Sequence, residues 1–279
     1  MQGDIPAAHA ALERGLELFR KVLDQRRVAE ALVFLGMSIA AQGDHARALD
    51  MYCEAATVSS DIGDVWLEAF TLTNEGAART AVGELQAADT TYRDSLALFD
   101  TLDDPWGRSI ALRGLAGLML RRNDHLAARE LYERSVPLFR ETGDARGLAQ
   151  ALLGLGRAAL RSGSAEYADE VFSEALVRWK EVELRAGMVR SLSGLAGAAA
   201  ARDQLEHAVR LYATAIRQAA AIGVVFSDQD TQDHEHSLKA MRDQLGAARF
   251  SAAWDEGSAL SLDQAIQLTG HAAGRTVRR

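Results

Sequence analysis

Self-similarity at a step of 40 residues constrains this chain more than any other feature. One such column runs Gly36, Gly76, Ala116, Gly156, Ala196; a second runs Leu32, Leu72, Leu112, Leu152, Leu192. Further along come Ala48, Ala88, Ala128, Ala168, Ala208; then Tyr52, Tyr92, Tyr132, Phe172, Tyr212; then Ala55, Ser95, Ser135, Ala175, Ala215. A fixed period of this length means a repeat architecture in which each unit buries its apolar face on the next. The offsets within a unit are helical. Ala48, Tyr52 and Ala55 share one helix face, and Leu32 and Gly36 lie one turn apart on the helix before it. The small residues allow close helix approach, and the aromatic fills the wedge between neighbouring units. Between the two helices stand Gly43-Asp44, Gly83-Glu84, Asn123-Asp124, Gly163-Ser164 and Asp203-Gln204. Gly or Asn there permits a positive φ, and Asp44 or Ser164 suits an N-cap.

Composition agrees with helices and a buried core: 48% apolar, 25% charged, and three prolines in 279 residues. The net charge of −8 disfavours a dedicated nucleic-acid-binding domain or an anionic-membrane binder. A single cysteine, Cys53, excludes an internal disulfide and fits a reducing compartment. The apolar runs are too short for a membrane span, and Met1-Gln2-Gly3-Asp4 lacks the regions of a signal peptide, so a cytoplasmic location is expected.

The spacing from the Gly36 column to the Ala48, Tyr52 and Ala55 columns resembles the tetratricopeptide repeat, in a version of 40 rather than 34 residues. The resemblance implies an all-α fold, a right-handed α-solenoid of antiparallel helix pairs. Residues 26–222 then form five such repeats. Gly3-Asp4 and Ala8 align with Gly43-Asp44 and Ala48, so residues 1–25 read as the second helix of a repeat truncated at its start. Ile5, Ala8, Leu12 and Phe19 would lack part of their packing surface there; a natural N-terminal capping helix is the alternative. After Gly223 the period fails. Residues 223–270 read as capping helices, with segments at Gln229 to Leu245, Ala247 to Trp254 and Leu262 to Thr269, and Ser261 as the last N-cap. Phe250 and Trp254 are expected to cover the exposed end of the Tyr212 helix. Residues 271–279 read as a basic, flexible tail. The stretch around Phe250, Trp254 and Leu260–Ala265 is similar to the tail closing the repeat array of large bacterial signal-transduction ATPases, often with LuxR-type output domains.

Chemistry is sparse. The chain has no Gly-Lys-Ser/Thr loop, no His-Glu-x-x-His, no Cys-x-x-Cys and no Gly-x-Ser-x-Gly. No metal, cofactor or enzymatic activity is therefore expected. Gly154-Leu155-Gly156-Arg157-Ala158-Ala159 mimics a dinucleotide fingerprint, but Gly156 stands in the small repeat column in mid-helix. His234 and His236 are expected at the surface, Cys53 buried, and Pro137 to kink or end its helix.

The resemblance implies partner binding along the first helix of each repeat. In that register the early repeats present Phe34, Met37, Phe70 and Asn74, largely apolar. The later ones present Arg113, Arg121, Arg157, Arg161 and Arg190. Guanidinium forks suit carboxylate or phosphate, so these arginines read as a stripe for an acidic peptide, a peptide C-terminus or a small anionic ligand. The competing reading pairs them with carboxylates of adjacent helices. The expected function is a non-catalytic protein- or ligand-binding arm of a larger bacterial regulator, whose nucleotide-switch and output domains lie elsewhere. The alternatives are a free-standing adaptor and a peptide-binding signal receptor.

Overall fold

The structure, a computed structural model, describes residues 5–269. Among them are fourteen α-helices and no strand. The helices of the periodic region are α1 (Ile5–Lys21), α2 (Gln25–Ala41), α3 (His45–Asp61), α4 (Val65–Val82), α5 (Leu85–Thr101), α6 (Pro105–Arg121), α7 (His125–Thr142), α8 (Ala145–Arg161), α9 (Ala165–Glu181), α10 (Arg185–Ala201) and α11 (Leu205–Ile222). Three more follow: α12 (Asp228–Leu245), α13 (Ala247–Ala259) and α14 (Leu262–Leu268). The Met1–Asp4 turn, the side chains of Ile5 and Ala8, and the basic tail lie outside the described residues.

The 40-residue step is two steps of 20. Each helix from α2 to α11 has 17 or 18 residues, about 25 Å of axis, and a short linker completes the step. Every linker places one residue in the left-handed region, at Leu23, Gly43, Gly63, Gly83, Asp103, Asn123, Gly143, Gly163, Glu183, Asp203 and Gly223. In the linkers up to α11 the next residue is the N-cap. Asp24, Asp44, Asp64, Asp104 and Asp144 accept a backbone N–H of the first turn, whereas Ser164 stands at its cap without a side-chain cap bond. The left-handed residue reverses the chain and the cap satisfies the orphan donors of the next helix, so antiparallel pairs follow from local chemistry.

The chain divides into two compact units, one ending at Thr142 and the other beginning at Gly143. In the first, α2 pairs with α3, α4 with α5 and α6 with α7, and α1 packs on α2. Leu16 of α1 is buried beside Val28 and Leu32, with Leu12 and Phe19 partly buried against the same cluster. The aromatic column is clamped by glycines. A Cβ at Gly36 would lie 2.6 Å from the Tyr52 ring, and Tyr92 is gripped from both sides, by Gly76 at 2.9 Å and Gly114 at 2.2 Å. The serines of the small column tie the helices together: Ser95 Oγ donates to the Ala69 carbonyl at 2.7 Å and Ser135 Oγ to that of Ser109 at 2.9 Å. A second aromatic layer, missing from the sequence reading, sets fully buried Phe99 on Gly107. The helix α7 runs through Pro137 to Thr142, so the proline does not end it. Nor is Cys53 buried: it is exposed, 4.0 Å from Arg79 Nη2, because its position after Tyr52 turns it off the packed face.

In the second unit α8 pairs with α9 and α10 with α11. Phe172 lies between Gly156 and Gly194, whose added Cβ atoms would meet its ring at 2.6 and 2.5 Å, and Trp179 lies on Gly187. The helix α13 covers α11 at such close range that a Cβ at Gly257 would strike the Arg210 backbone. Thr214 Oγ1 donates to the Gly257 carbonyl at 2.7 Å, and Arg217 Nη1 to that of Ser258 at 2.6 Å. The buried face of α13 is Phe250, Ala253 and Gly257. Phe250 and Trp254, stacked at 6.0 Å, also line a cleft of about 450 Å³ with Leu238, Lys239 and Arg242 of α12. Ser261 caps α14 in a reciprocal box with Gln264.

Candidate functional site

The first helix of each pair carries the candidate residues, and the two units treat theirs differently. In the first unit the inner positions of α2 and α4 are open. Phe34 is 53% exposed and Met37 40% exposed, although both are large and apolar. Phe70 is half-buried in an aromatic ledge. It stacks on Trp66 at 5.3 Å and on Trp106 at 5.9 Å, and the two indoles stack on each other at 6.1 Å. Asp104 holds this ledge in place. Its Oδ1 accepts the Trp106 and Gly107 amides as the cap of α6, and its Oδ2 accepts the Trp66 indole N–H at 2.8 Å. Trp66 as a residue stays 42% exposed, so a rigid aromatic surface is offered at low ordering cost. Asn74 turns its amide back and donates one N–H to the Phe70 carbonyl at 2.8 Å. Neither tryptophan was among the residues picked from sequence, although they stand 40 apart on the repeat step.

Arg113 and Arg121 belong to this unit. The Arg113 guanidinium lies 6.0 Å from the Phe139 ring centre, and exposed Arg121 donates to the Thr80 carbonyl at 3.4 Å.

In the second unit the arginines are engaged by the chain's own tail. Arg157 Nη2 donates to Asp230 Oδ2 at 3.0 Å and Arg161 Nη2 to Asp233 Oδ2 at 2.5 Å. Arg190 Nη2 donates to the Val225 carbonyl at 3.0 Å. Burial pulls the Arg190 pKa down, as does neighbouring Arg157, with Asp230 opposing. The carboxylates come from α12, some 70 residues away in sequence, rather than from neighbouring repeat helices. His234 completes this contact. It is only 8% exposed, correcting its expected surface position, and its Nε2 lies 2.5 Å from Ser193 Oγ. Its ring packs edge-on against Tyr212 at 5.1 Å and Phe226 at 4.8 Å. Burial drives its pKa down; Asp230 and Asp233 push up and Arg157 down, and burial wins. His236 is exposed.

No cluster of His, Cys, Asp and Glu able to hold a metal occurs among the described residues. No described helix is long and apolar enough to cross a membrane. Burial pushes the Cys53 thiol pKa up, Glu75 adds to this and Arg79 opposes it, so the thiol is not activated.

Against known proteins, residues 107–181 match the family model described as tetratricopeptide repeat. No curated protein sequence matches the chain. Solved structures similar to it include BtubC (BKLC) from P. vanneervenii, at 15% identity and a TM-score of 0.66, covering 81% of this chain and 95% of that one. A Rap protein complexed with competence and sporulation factor aligns at 16% identity and a TM-score of 0.61, over 88% of this chain and 75% of that one. A putative kinesin light chain from Podosopora anserina with nearly identical TPR-like repeats aligns at 17% identity and a TM-score of 0.58, over 72% of this chain and 98% of that one.

Proposed function

We propose that this chain, a tetratricopeptide-like α-solenoid in fold, is a non-catalytic binding module that takes an extended or helical protein segment on the inner helices of its first unit. The observation that carries this reading is the ledge of Trp66, Phe70 and Trp106, together with Phe34 and Met37 left exposed on α2 of the same unit. Large apolar groups left open on the inner helices of a repeat array, with their polar neighbours satisfied locally, mark a partner surface. The partner would insert an aromatic or aliphatic anchor against Trp66 and Phe70. Of the similar structures, the Rap protein is itself in a complex with competence and sporulation factor, which agrees with this mode.

Peptides selected on the intact chain from a random display library test the reading. Selected binders should carry apolar anchors, and Trp66→Ala should weaken them by about tenfold or more, the loss expected on truncating an aromatic hot spot. Binders indifferent to both Trp66→Ala and Phe34→Ala would refute it.

A finer reading makes the chain the cytoplasmic sensor arm of a larger bacterial regulator with a nucleotide-switch domain. It rests on the likeness of the tail around Phe250, Trp254 and Leu260–Ala265. Reading the genomic frame upstream of Met1 tests it: a Gly-Lys-Ser/Thr loop supports the regulator, and a stop codon favours an adaptor.

A further inference from the structure

The helix α12 is unlike every other helix of the second unit. Among its described side chains only His234 and Met241 are buried, and its attachment to α8 and α10 runs through polar head groups. The segment leading into it from Gly223 is non-helical up to the Ser227 cap, with Val225 81% exposed. By contrast, α13 holds α11 through its own close backbone approach and carbonyl bonds. The tail can therefore stay attached to α11 while α12 leaves the groove. Ion pairs with partly exposed partners stabilise little and weaken with salt, so α12 is held by a geometry match more than by a large burial. That match is specific. Arg157 and Arg161 stand one turn apart on α8, and Asp230 and Asp233 one turn apart on α12, so two forks meet two carboxylates in register, with His234 seated on Ser193 beside them.

We infer that the inner groove of α8 and α10 is a recognition site for an acidic helix bearing two carboxylates one turn apart, and that α12 fills it as an intramolecular stand-in which an acidic helical segment of a partner protein displaces. The occupant is defined by what the groove already holds. A partner helix must supply a carboxylate pair to Arg157 and Arg161 and a small polar or aromatic group over Ser193. This inference does not depend on the aromatic surface of the first unit, and its test involves none of those residues.

The test uses the full chain and a fluorescent synthetic peptide of residues 224–245. In the chain carrying Asp230→Lys and Asp233→Lys, the tail helix faces Arg157 and Arg161 with like charge. Its amides should lose hydrogen-exchange protection while those of α8–α11 keep theirs, which separates undocking from unfolding. That chain should bind the peptide at least about tenfold tighter than the unaltered chain, in which α12 competes. Adding Arg157→Ala and Arg161→Ala should abolish this binding, and a peptide with both aspartates replaced by lysine should fail to bind the chain that keeps both arginines. Retained α12 protection, or peptide binding indifferent to Arg157 and Arg161, would overturn the inference. So would a chain that dimerises on undocking yet ignores the peptide, since the occupant would then be a second copy.

Discussion

Two glycines of one helix should respond to alanine with opposite signs. Gly107 and Gly117 both lie in α6. A Cβ at Gly107 would stand 2.0 Å from Phe99 Cδ1 and 2.3 Å from Cε1, inside a ring that is 0% exposed. At Gly117 the nearest atom is Tyr132 Oη at 3.7 Å, an ordinary contact. Gly117→Ala therefore gains helix propensity, about 1 kcal/mol, with no steric cost. Gly107→Ala gains less, being in the first turn, and forces the Phe99 ring to shift in a filled core, costing about 1–3 kcal/mol. The two variants should differ by roughly 2–4 kcal/mol. Urea unfolding followed by far-UV circular dichroism reads this as midpoints moving in opposite directions at unchanged slope. Shortening the ring by Phe99→Leu should recover part of the Gly107→Ala loss, a positive coupling in a double-mutant cycle. Equal shifts of the same sign, or no coupling, would refute glycine clamping as what sets helix spacing.

Other consequences follow from the linkers and the tail. Asp104→Ala removes the cap of α6 and the acceptor of the Trp66 indole together, and should lower stability by about 1–2 kcal/mol in the same unfolding assay. Glu183 occupies the left-handed region at φ 54°, so Glu183→Gly should raise the unfolding free energy by up to about 1 kcal/mol, once the added freedom of the unfolded chain is set against the relieved strain, and move the urea midpoint upward. The docking of α12 should be pH-dependent. Burial holds the pKa of docked His234 below its free value, so docking is fully favoured above about pH 6.5 and weakens as pH falls toward the depressed value. Exchange protection of α12, corrected for intrinsic rate, should decline from pH 7.5 to pH 5, and His234→Gln should remove that decline.

The helix pairs were legible because their signal is local and repeated. The Tyr52 column and the small residues facing it each recur five times at one step, and the turn between the helices recurs with Gly, Asn or Asp at its first position. The second aromatic layer was legible too: Phe99, Phe139 and Trp179 stand 40 apart, with Gly107, Gly147 and Gly187 following them in step. Trp66 and Trp106 carry the same step. The tail was different, because nothing in Asp230, Asp233 or His234 marks them as partners of Arg157, Arg161 and Ser193. That contact joins a non-repeating helix to a repeating one across about 40–70 residues, and periodicity cannot report it. An arginine stripe legible in sequence therefore lacked its carboxylates until the fold supplied them. The cleft that Phe250 and Trp254 share with α12 was not legible for a related reason. Helical spacing shows that two residues share a face, but not which neighbour that face meets.

The central claim is that the inner helices of the first unit are the binding surface. The most direct measurement is hydrogen exchange on the intact chain with and without a library-selected peptide. The account predicts new protection in α2, α4 and the start of α6, around Phe34, Met37, Trp66 and Trp106. Protection confined to α3 and α5, on the opposite side of the same pairs, would contradict it.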